Sequence, residues 1–339
     1  MASQLRIDRR ALLALGIGGA AALAGQARAI TPLSFADLPG WAADDHGAAL
    51  DVWRKSCGYA PSLCQAPADP PRAFWETHFT PVLIGDPEDA KFTGYYEPVI
   101  RASRERGGKW QTPLYAPPRD IKRRKPHFSR AEIDGGALAG QGLEIFWLED
   151  PVAAYFLQIQ GSGRLILPDG ALVRVGYAGK NGHRYRSIGA IFNKRRKASP
   201  GTYKARSLRA WLTANPVEGA ALMRENPSFV FFAERKDLAP EDGPIGAQGV
   251  PLTAGRSLAV DREVHRLGLP FWVETIVKRR PFQRLMIAQD TGSAINGPQR
   301  GDIFFGTGDG AGKTAGQVLS GGRMVALVEN DRLSALGLK

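Results

Sequence analysis

Apolar residues come along this chain in short runs cut by glycine, proline and acids, not in long amphipathic stretches. Short apolar runs bounded by turn formers predict buried strands joined by tight turns. Ala154 to Gln160, Leu165 to Leu167, Ser257 to Asp261, Leu269 to Glu274 and Arg323 to Val328 read this way. So do Ile287-Ala288, leading into Asp290, and Ile303-Phe304-Phe305, following Asp302. Few helices are expected. Asp44 to Lys55 has a helical pattern with Leu50, Val52 and Trp53 on its apolar side. Ser207 to Ala214 opens on Ser207 as a cap and buries Leu208, Trp211 and Leu212. Pro216 to Glu225 is another, with proline in its first turn. No internal repeat is evident.

Composition supports a largely β protein. The 339 residues include 40 glycines and 24 prolines, as many short strands and turns require. The length exceeds one ordinary domain. Residues 101–237 hold two basic clusters, Lys122-Arg123-Arg124-Lys125 and Lys194-Arg195-Arg196-Lys197, which are expected to be solvated loops. Residues from 238 onward lose the long basic runs and become rich in glycine and strands, as in a compact barrel with crossing loops.

The N-terminus predicts export. Arg6 to Ala29 has a basic start with Arg9-Arg10, an apolar run from Ala11 to Ala24, and the cleavage pattern Ala27-Arg28-Ala29. The paired arginines suggest the twin-arginine route. The apolar run is short for a membrane span, and no later segment is long and apolar enough to be one. No cysteine ends the signal, so membrane anchoring through a lipid is not expected. Residues 1–29 would be removed and a periplasmic chain would begin near Ile30. Its formal charge falls from +12 to +9, because four arginines and one aspartate leave with the signal. A basic surface suits an anionic polymer. Nucleic acid is excluded by the compartment, and a cell-wall polymer bearing carboxylates fits it. Cys57 and Cys64 are the only cysteines, and an oxidising compartment would let them pair across the turn between them. No metal or cofactor is expected, since His46 and His78 lack familiar ligand spacing.

Candidate chemistry concentrates in Ile287 to Asp309, where Asp290, Asp302 and Asp309 sit among short apolar runs and glycines. Acids and glycines are ordinary turn formers, but strand ends also hold acids rigidly enough for proton transfer. Asp309, flanked by Gly308 and Gly310, suits a turn. A serine hydrolase built on Ser162 and His183 is not indicated, because the G-x-S-x-G setting is missing; His183 reads as a surface residue.

Six collinear segments resemble the membrane-bound lytic murein transglycosylase A family. They are FTGYYEP (Phe92 to Pro98), YFLQIQGSGRL (Tyr155 to Leu165), VGYAGKNGHRYRSIG (Val175 to Gly189), NPSFVFF (Asn226 to Phe232), VPLTAGRSLAVD (Val250 to Asp261) and QDTGSAINGPQRGDIFFGTGD (Gln289 to Asp309). The resemblance implies a mainly β fold. A double-psi β-barrel would be built from residues 30–100 and 238–339, with a second, smaller β-barrel inserted at 101–237 and a groove between them. It implies cleavage of the β-1,4 link between N-acetylmuramic acid and N-acetylglucosamine in peptidoglycan, leaving 1,6-anhydro ends. The carbon-6 hydroxyl of the substrate is then the nucleophile, so one carboxyl group can serve as acid and then base. The family pattern places that group on Asp302, with Asp290 orienting it, the loop or the sugar; Asp290 is also the second choice as catalyst. An apolar wall from Ile303-Phe304-Phe305 would raise the pKa of Asp302.

A glycan wants aromatic faces, amides and hydroxyls. Thr93, Tyr95, Tyr96, Gln158, Gln160, Ser162 and Arg164 are the candidates, with Gly94, Gly161 and Gly163 letting backbone approach. Strand alternation would bury one of Tyr95 and Tyr96 and expose the other. Gln158 and Gln160 would share one strand face. Two rivals remain: a non-catalytic peptidoglycan-binding module, and a hydrolytic muramidase with Asp290 as a second carboxylate.

Overall fold

The computed structural model describes residues 5–6, 29–67, 70–122, 126–195, 205–336 and 338. Most of the segment read as an export signal lies outside the described residues, as do Arg123 to Lys125 and Arg196-Lys197 of the two basic clusters. Two compact units emerge. The first comprises the chain up to Tyr95, Ile245–Gly306 and everything from Lys313 on; the second comprises Tyr96–Pro244 and Thr307–Gly312.

A ten-stranded sheet forms the first unit. In space its strands follow the order Leu5–Arg6, Ala29–Pro32, Phe79–Ile84, Gly322–Glu329, Pro270–Val277, Arg280–Asp290, Ser257–Ala259, Arg300–Thr307, Lys91–Glu97 and Leu319–Ser320. Both edges of this hydrogen-bonded order are two-residue strands. The inner strands are buried on both faces, which is why they read as nearly continuous apolar runs. Met286 and Ala288 face one core with Phe92, Leu258, Phe271 and Ile303. Leu285 and Ile287, between and before them, face a second core with Trp41, Trp53, Trp75 and Trp272. The helices His46–Arg54 and Pro71–His78 supply Trp53, Phe74 and Trp75 of that aromatic layer. Arg256 ties its edge down, with Nη1 and Nη2 donating to the two carboxylate oxygens of Asp44 at 2.7 and 3.0 Å. Cys57 and Cys64 form a disulfide beside the same layer.

The second unit holds six strands, ordered Val230–Arg235, Leu172–Lys180, Ser162–Ile166, Val99–Ser103, Glu144–Leu148 and Thr112–Tyr115. Val99–Ser103 and Ser162–Ile166 pair in parallel, so a crossover must join them. The helix Pro151–Gln160 lies within that crossover.

Helices are more numerous than the sequence pattern suggests: nine α-helices occur among the described residues. Ala154 to Gln160, expected as a strand, belongs to Pro151–Gln160. Asp150 caps it by accepting from the Val152 amide at 2.8 Å, Pro151 occupies its first turn, and Gly161 ends it in the left-handed conformation at φ 79°. Its buried side chains cover most of its circumference. A helix that is apolar nearly all round has no 3.6-residue stripe, so it mimics a buried strand in sequence. Ser207, expected as a cap, lies inside the helix Ala205–Ala214. No helix among the described residues is long and apolar enough to cross a membrane.

Candidate active site

Ala259 organises the acidic end of the first unit. It pairs in parallel with Asp290 and antiparallel with Asp302. The two acid-bearing strands are therefore not paired with each other; the three-residue strand Ser257–Ala259 separates them. Residues in register on neighbouring strands project from the same face. Both carboxylates thus emerge on one side, from backbones about 10 Å apart, twice the usual strand spacing.

Lys91–Glu97 runs beside the Asp302 strand and supplies the next groups. Thr93 and Tyr95 are two apart and share its face. The Thr93 hydroxyl donates to Asp302 Oδ1 at 2.5 Å. The Tyr95 hydroxyl donates to Asp290 Oδ2 at 2.9 Å, and its ring lies 5.3 Å from that of Phe304. Phe304 follows Asp302 by two and packs on the same side. The opposite face is sealed by glycines. A Cβ at Gly94 would stand 2.6 Å from the Phe305 ring and 2.8 Å from Ala315 Cα, and one at Gly301 would stand 2.8 Å from Phe92. Gly94 is thus a packing device in this unit.

Burial sets the electrostatics. Removal from water is the main cause that pushes the Asp302 carboxyl up to about 6 from its usual 3.8. The charge of Asp290 adds to the rise, while Arg300 and the Thr93 hydrogen bond oppose it. Burial also raises Asp290, against hydrogen bonds from the Thr291 and Ala247 amides and the Tyr95 hydroxyl. The Ala247 amide donates to Asp290 Oδ1 at 3.0 Å. Asp290 thus accepts from three donors, whereas Asp302 accepts from the Thr93 hydroxyl. Tyr95 is raised well above its usual value, mainly by burial, and stays a donor.

Arg300 was not anticipated from sequence. Its Nη2 donates to Thr93 Oγ1 at 2.7 Å, and its Nη1 to the Lys91 and Gly301 carbonyls at 3.2 and 2.5 Å. The available signal was its position two before Asp302, hence on the same strand face. The amide of Ala247 carried no signal, since a backbone donor leaves no trace in composition. Asp309, expected in a turn, lies exposed in the first turn of the helix Gly308–Ala315.

The other expected glycan contacts belong to the second unit. Gln160 Oε1 accepts from the Tyr96 amide at 3.0 Å, and the Tyr96 ring packs where a Cβ on Gly312 would stand. Arg164 Nε donates to Glu97 Oε2 at 2.7 Å, its other nitrogens donate to the Pro240 and Asp242 carbonyls, and Thr307 Oγ1 also donates to Glu97 at 2.8 Å. Gln158 and Gln160 do not share a face, because they lie on a helix, where two residues span about 200°. Gln158 is buried, and its Oε1 accepts from Arg130 at 2.7 Å. Gly163 accommodates Leu157, while Gly161 is open. Ser162 is buried opposite Gly176. Tyr95 and Tyr96 are both half-buried, since each face of their strand is covered in part. His183 is half-buried too, its ring bonded to the His127 carbonyl at 2.8 Å. Among the described residues, no group of three or more His, Cys, Asp or Glu is placed to hold a metal ion.

The same elements recur in known proteins. Residues 91–233 match the family description "MltA specific insert domain", and residues 256–328 match "3D domain". A membrane-bound lytic murein transglycosylase crystal structure from Agrobacterium tumefaciens superposes with a TM-score of 0.81 at 34% identity, covering 90% of this chain and 99% of that one. The chain belongs to the membrane-bound lytic murein transglycosylase A family of enzymes. The Escherichia coli (strain K12) relative of that name is 37% identical over 249 residues, which is 70% of this chain and 66% of the relative, slightly under two-thirds of its length. A further structure, Escherichia coli MltA with bound chitohexaose, gives a TM-score of 0.72 at 30% identity, covering 86% of this chain and 90% of that one. Within this member of the family, Ala259, Asp290 and Asp302 fall in the second match, and Thr93 and Tyr95 at the start of the first.

Proposed function

We propose that this chain is a periplasmic lytic transglycosylase. It cleaves the β-1,4 bond between N-acetylmuramic acid and N-acetylglucosamine, with Asp302 as the single acid and base. One observation carries the proposal: a half-buried carboxyl, pushed up to about 6 and hydrogen-bonded to Thr93, with a second carboxyl on the same sheet face that accepts from Tyr95 and Ala247. Asp302 gives its proton to the glycosidic oxygen as the bond to carbon-1 breaks. The resulting carboxylate then takes the proton of the carbon-6 hydroxyl as that oxygen closes on carbon-1. The proton count balances without water, and the product carries a 1,6-anhydro ring. A group that must donate and then accept works best with a pKa near the working pH.

Asp290 has the supporting part. Oriented by hydrogen bonds from Tyr95 and Ala247, its negative charge favours the protonated form of Asp302 and would steady the developing positive charge on the sugar ring. Gln160 and Tyr96 are assigned to the glycan, with Thr93, Gly94, Tyr95, Gly161 and Ser162 bordering it. Gln158 and Arg164 are assigned to structural support, Gln158 through Arg130 and Arg164 through Glu97. The carboxylates of peptide stems would suit the basic chain.

The fold assignment belongs to the same proposal. The core containing Ile30, Val82, Phe92, Leu258, Phe271, Met286, Ile303 and Met324 draws on eight strands of the ten-stranded sheet. A flat sheet could not gather them, so a sheet curled into a double-psi β-barrel is favoured. The six-stranded sheet would be the smaller inserted β-barrel, with 30–100 and 238–339 forming the catalytic domain and 101–237 the insertion. Export is supported by the basic-apolar leader and by the Cys57–Cys64 disulfide.

The test is mass spectrometry of peptidoglycan incubated with the exported chain. Anhydro-ended muropeptides are expected, and none with Asp302→Asn. Reducing ends in their place would make the enzyme a hydrolase. Sedimentation with peptidoglycan and no new fragments would make it a binding module.

A further inference from the structure

We infer that Arg300 is a positioning residue that acts on Asp302 through Thr93, and that the relay leaves the transferable proton on Asp302 Oδ2. This rests on the proposed role of Asp302. Three observations meet here. Arg300 Nη2 lies 2.7 Å from Thr93 Oγ1, and the same oxygen lies 2.5 Å from Asp302 Oδ1. Arg300 is anchored by two backbone carbonyls, Lys91 and Gly301, so its guanidinium is fixed relative to both strands. Arg300 and Asp302 are two apart on one strand, and Thr93 faces them from the strand alongside.

The direction of the relay follows from donor chemistry. A guanidinium only donates, so one lone pair of the Thr93 oxygen is taken. A hydroxyl that accepts from a cation becomes a better donor and a poorer acceptor. Its single hydrogen therefore points at Oδ1 of Asp302. With Oδ1 accepting, a protonated Asp302 carries its hydrogen on Oδ2, the oxygen that accepts from no side chain among the described residues. The relay thus selects which oxygen delivers the proton and fixes the carboxyl rotation, at the cost of a lower pKa than burial alone would give. The charged and titratable groups around Asp302 are Arg300 on its own strand and Asp290 from the far side of Ser257–Ala259, with Tyr95 bonded to that Asp290.

The test is a double-mutant cycle on Thr93→Val and Arg300→Met, with Thr93→Ser and Arg300→Lys as conservative controls and thermal unfolding as a check of folding. Each disruptive change should lower kcat at least about tenfold, more than KM changes, and move the alkaline limb of kcat/KM to higher pH. In the Thr93→Val background, Arg300→Met should add little to the loss in kcat. Thr93→Ser should restore most of it. Independently of turnover, the infrared carbonyl stretch of protonated Asp302, taken as the difference from Asp302→Asn, should rise in frequency in Thr93→Val, because the hydrogen bond to its carbonyl oxygen is gone. Wild-type kcat in Arg300→Met, fully additive effects, or an unshifted carbonyl stretch in Thr93→Val would overturn the relay. If Asp302→Asn itself still made anhydro products, the proposed function would fail instead, which keeps the two failures distinct.

Discussion

Asp290 and Asp302 lie on the same face because both are in register with Ala259, one through a parallel and the other through an antiparallel pairing. The strand Ser257–Ala259 lies between the two strands that carry them. It also divides their partners: Thr93 serves Asp302, and Tyr95 with Ala247 serves Asp290.

Asp290→Asn should reduce kcat without abolishing it, by about tenfold to a hundredfold. Asp290 adds to the rise in the Asp302 pKa, so removing its charge should lower that pKa. The proposed mechanism needs the acid form of Asp302, so the alkaline limb of kcat/KM should move to lower pH, opposite to Arg300→Met. A pH–rate profile of both variants checks the sign.

Asp302→Asn should make the protein more stable above neutrality. The folded-state pKa of Asp302, about 6, lies above its usual value of 3.8. Between these values the folded chain holds a proton that the unfolded chain has lost. Stability therefore falls as pH rises through that window, and the full loss is present above it. Asparagine removes the dependence. A gain of up to about 3 kcal/mol is expected near pH 8, vanishing near pH 4. Denaturant unfolding at the two pH values measures it.

Gly94→Ala should destabilise the first unit by about 1–3 kcal/mol, because the added methyl would overlap the Phe305 ring and Ala315 Cα. Lower activity should accompany the loss, since Thr93 and Tyr95 flank the displaced backbone. Thermal unfolding and a turnover assay together decide it; unchanged stability would refute the packing assignment.

Replacing Cys57 and Cys64 together by serine should cost about 2 kcal/mol, as expected for a small closed loop. Cys57 is buried against the tryptophan layer, so its hydroxyl replacement adds to the loss. A midpoint shift between oxidised and reduced wild-type protein, lacking in the double variant, is the readout.

Local signals carried much of this protein. Asp302 could be placed near the start of a strand from the apolar run Ile303-Phe304-Phe305 that follows it, and the strand Arg300–Thr307 puts it there. The helices His46–Arg54 and Pro216–Arg224 were visible for the same reason, since a striped helix or a proline in its first turn acts over a few residues. The helix Pro151–Gln160 was missed because its apolar run has no stripe, and its Asp150-Pro151 start and Gly161 stop were outvoted by the run itself.

What the chain determines by itself is its set of local preferences: where strands end, which acids sit at those ends, and which residue types a glycan would want. Only the tertiary structure decided that Ser257–Ala259 comes between the two aspartates, that Thr93 reaches across 209 positions to Asp302, and that Arg300 stands behind it. Strand neighbours are chosen by the burial of whole faces and not by adjacency in sequence, so these partners acquire their chemistry only when the sheet is complete.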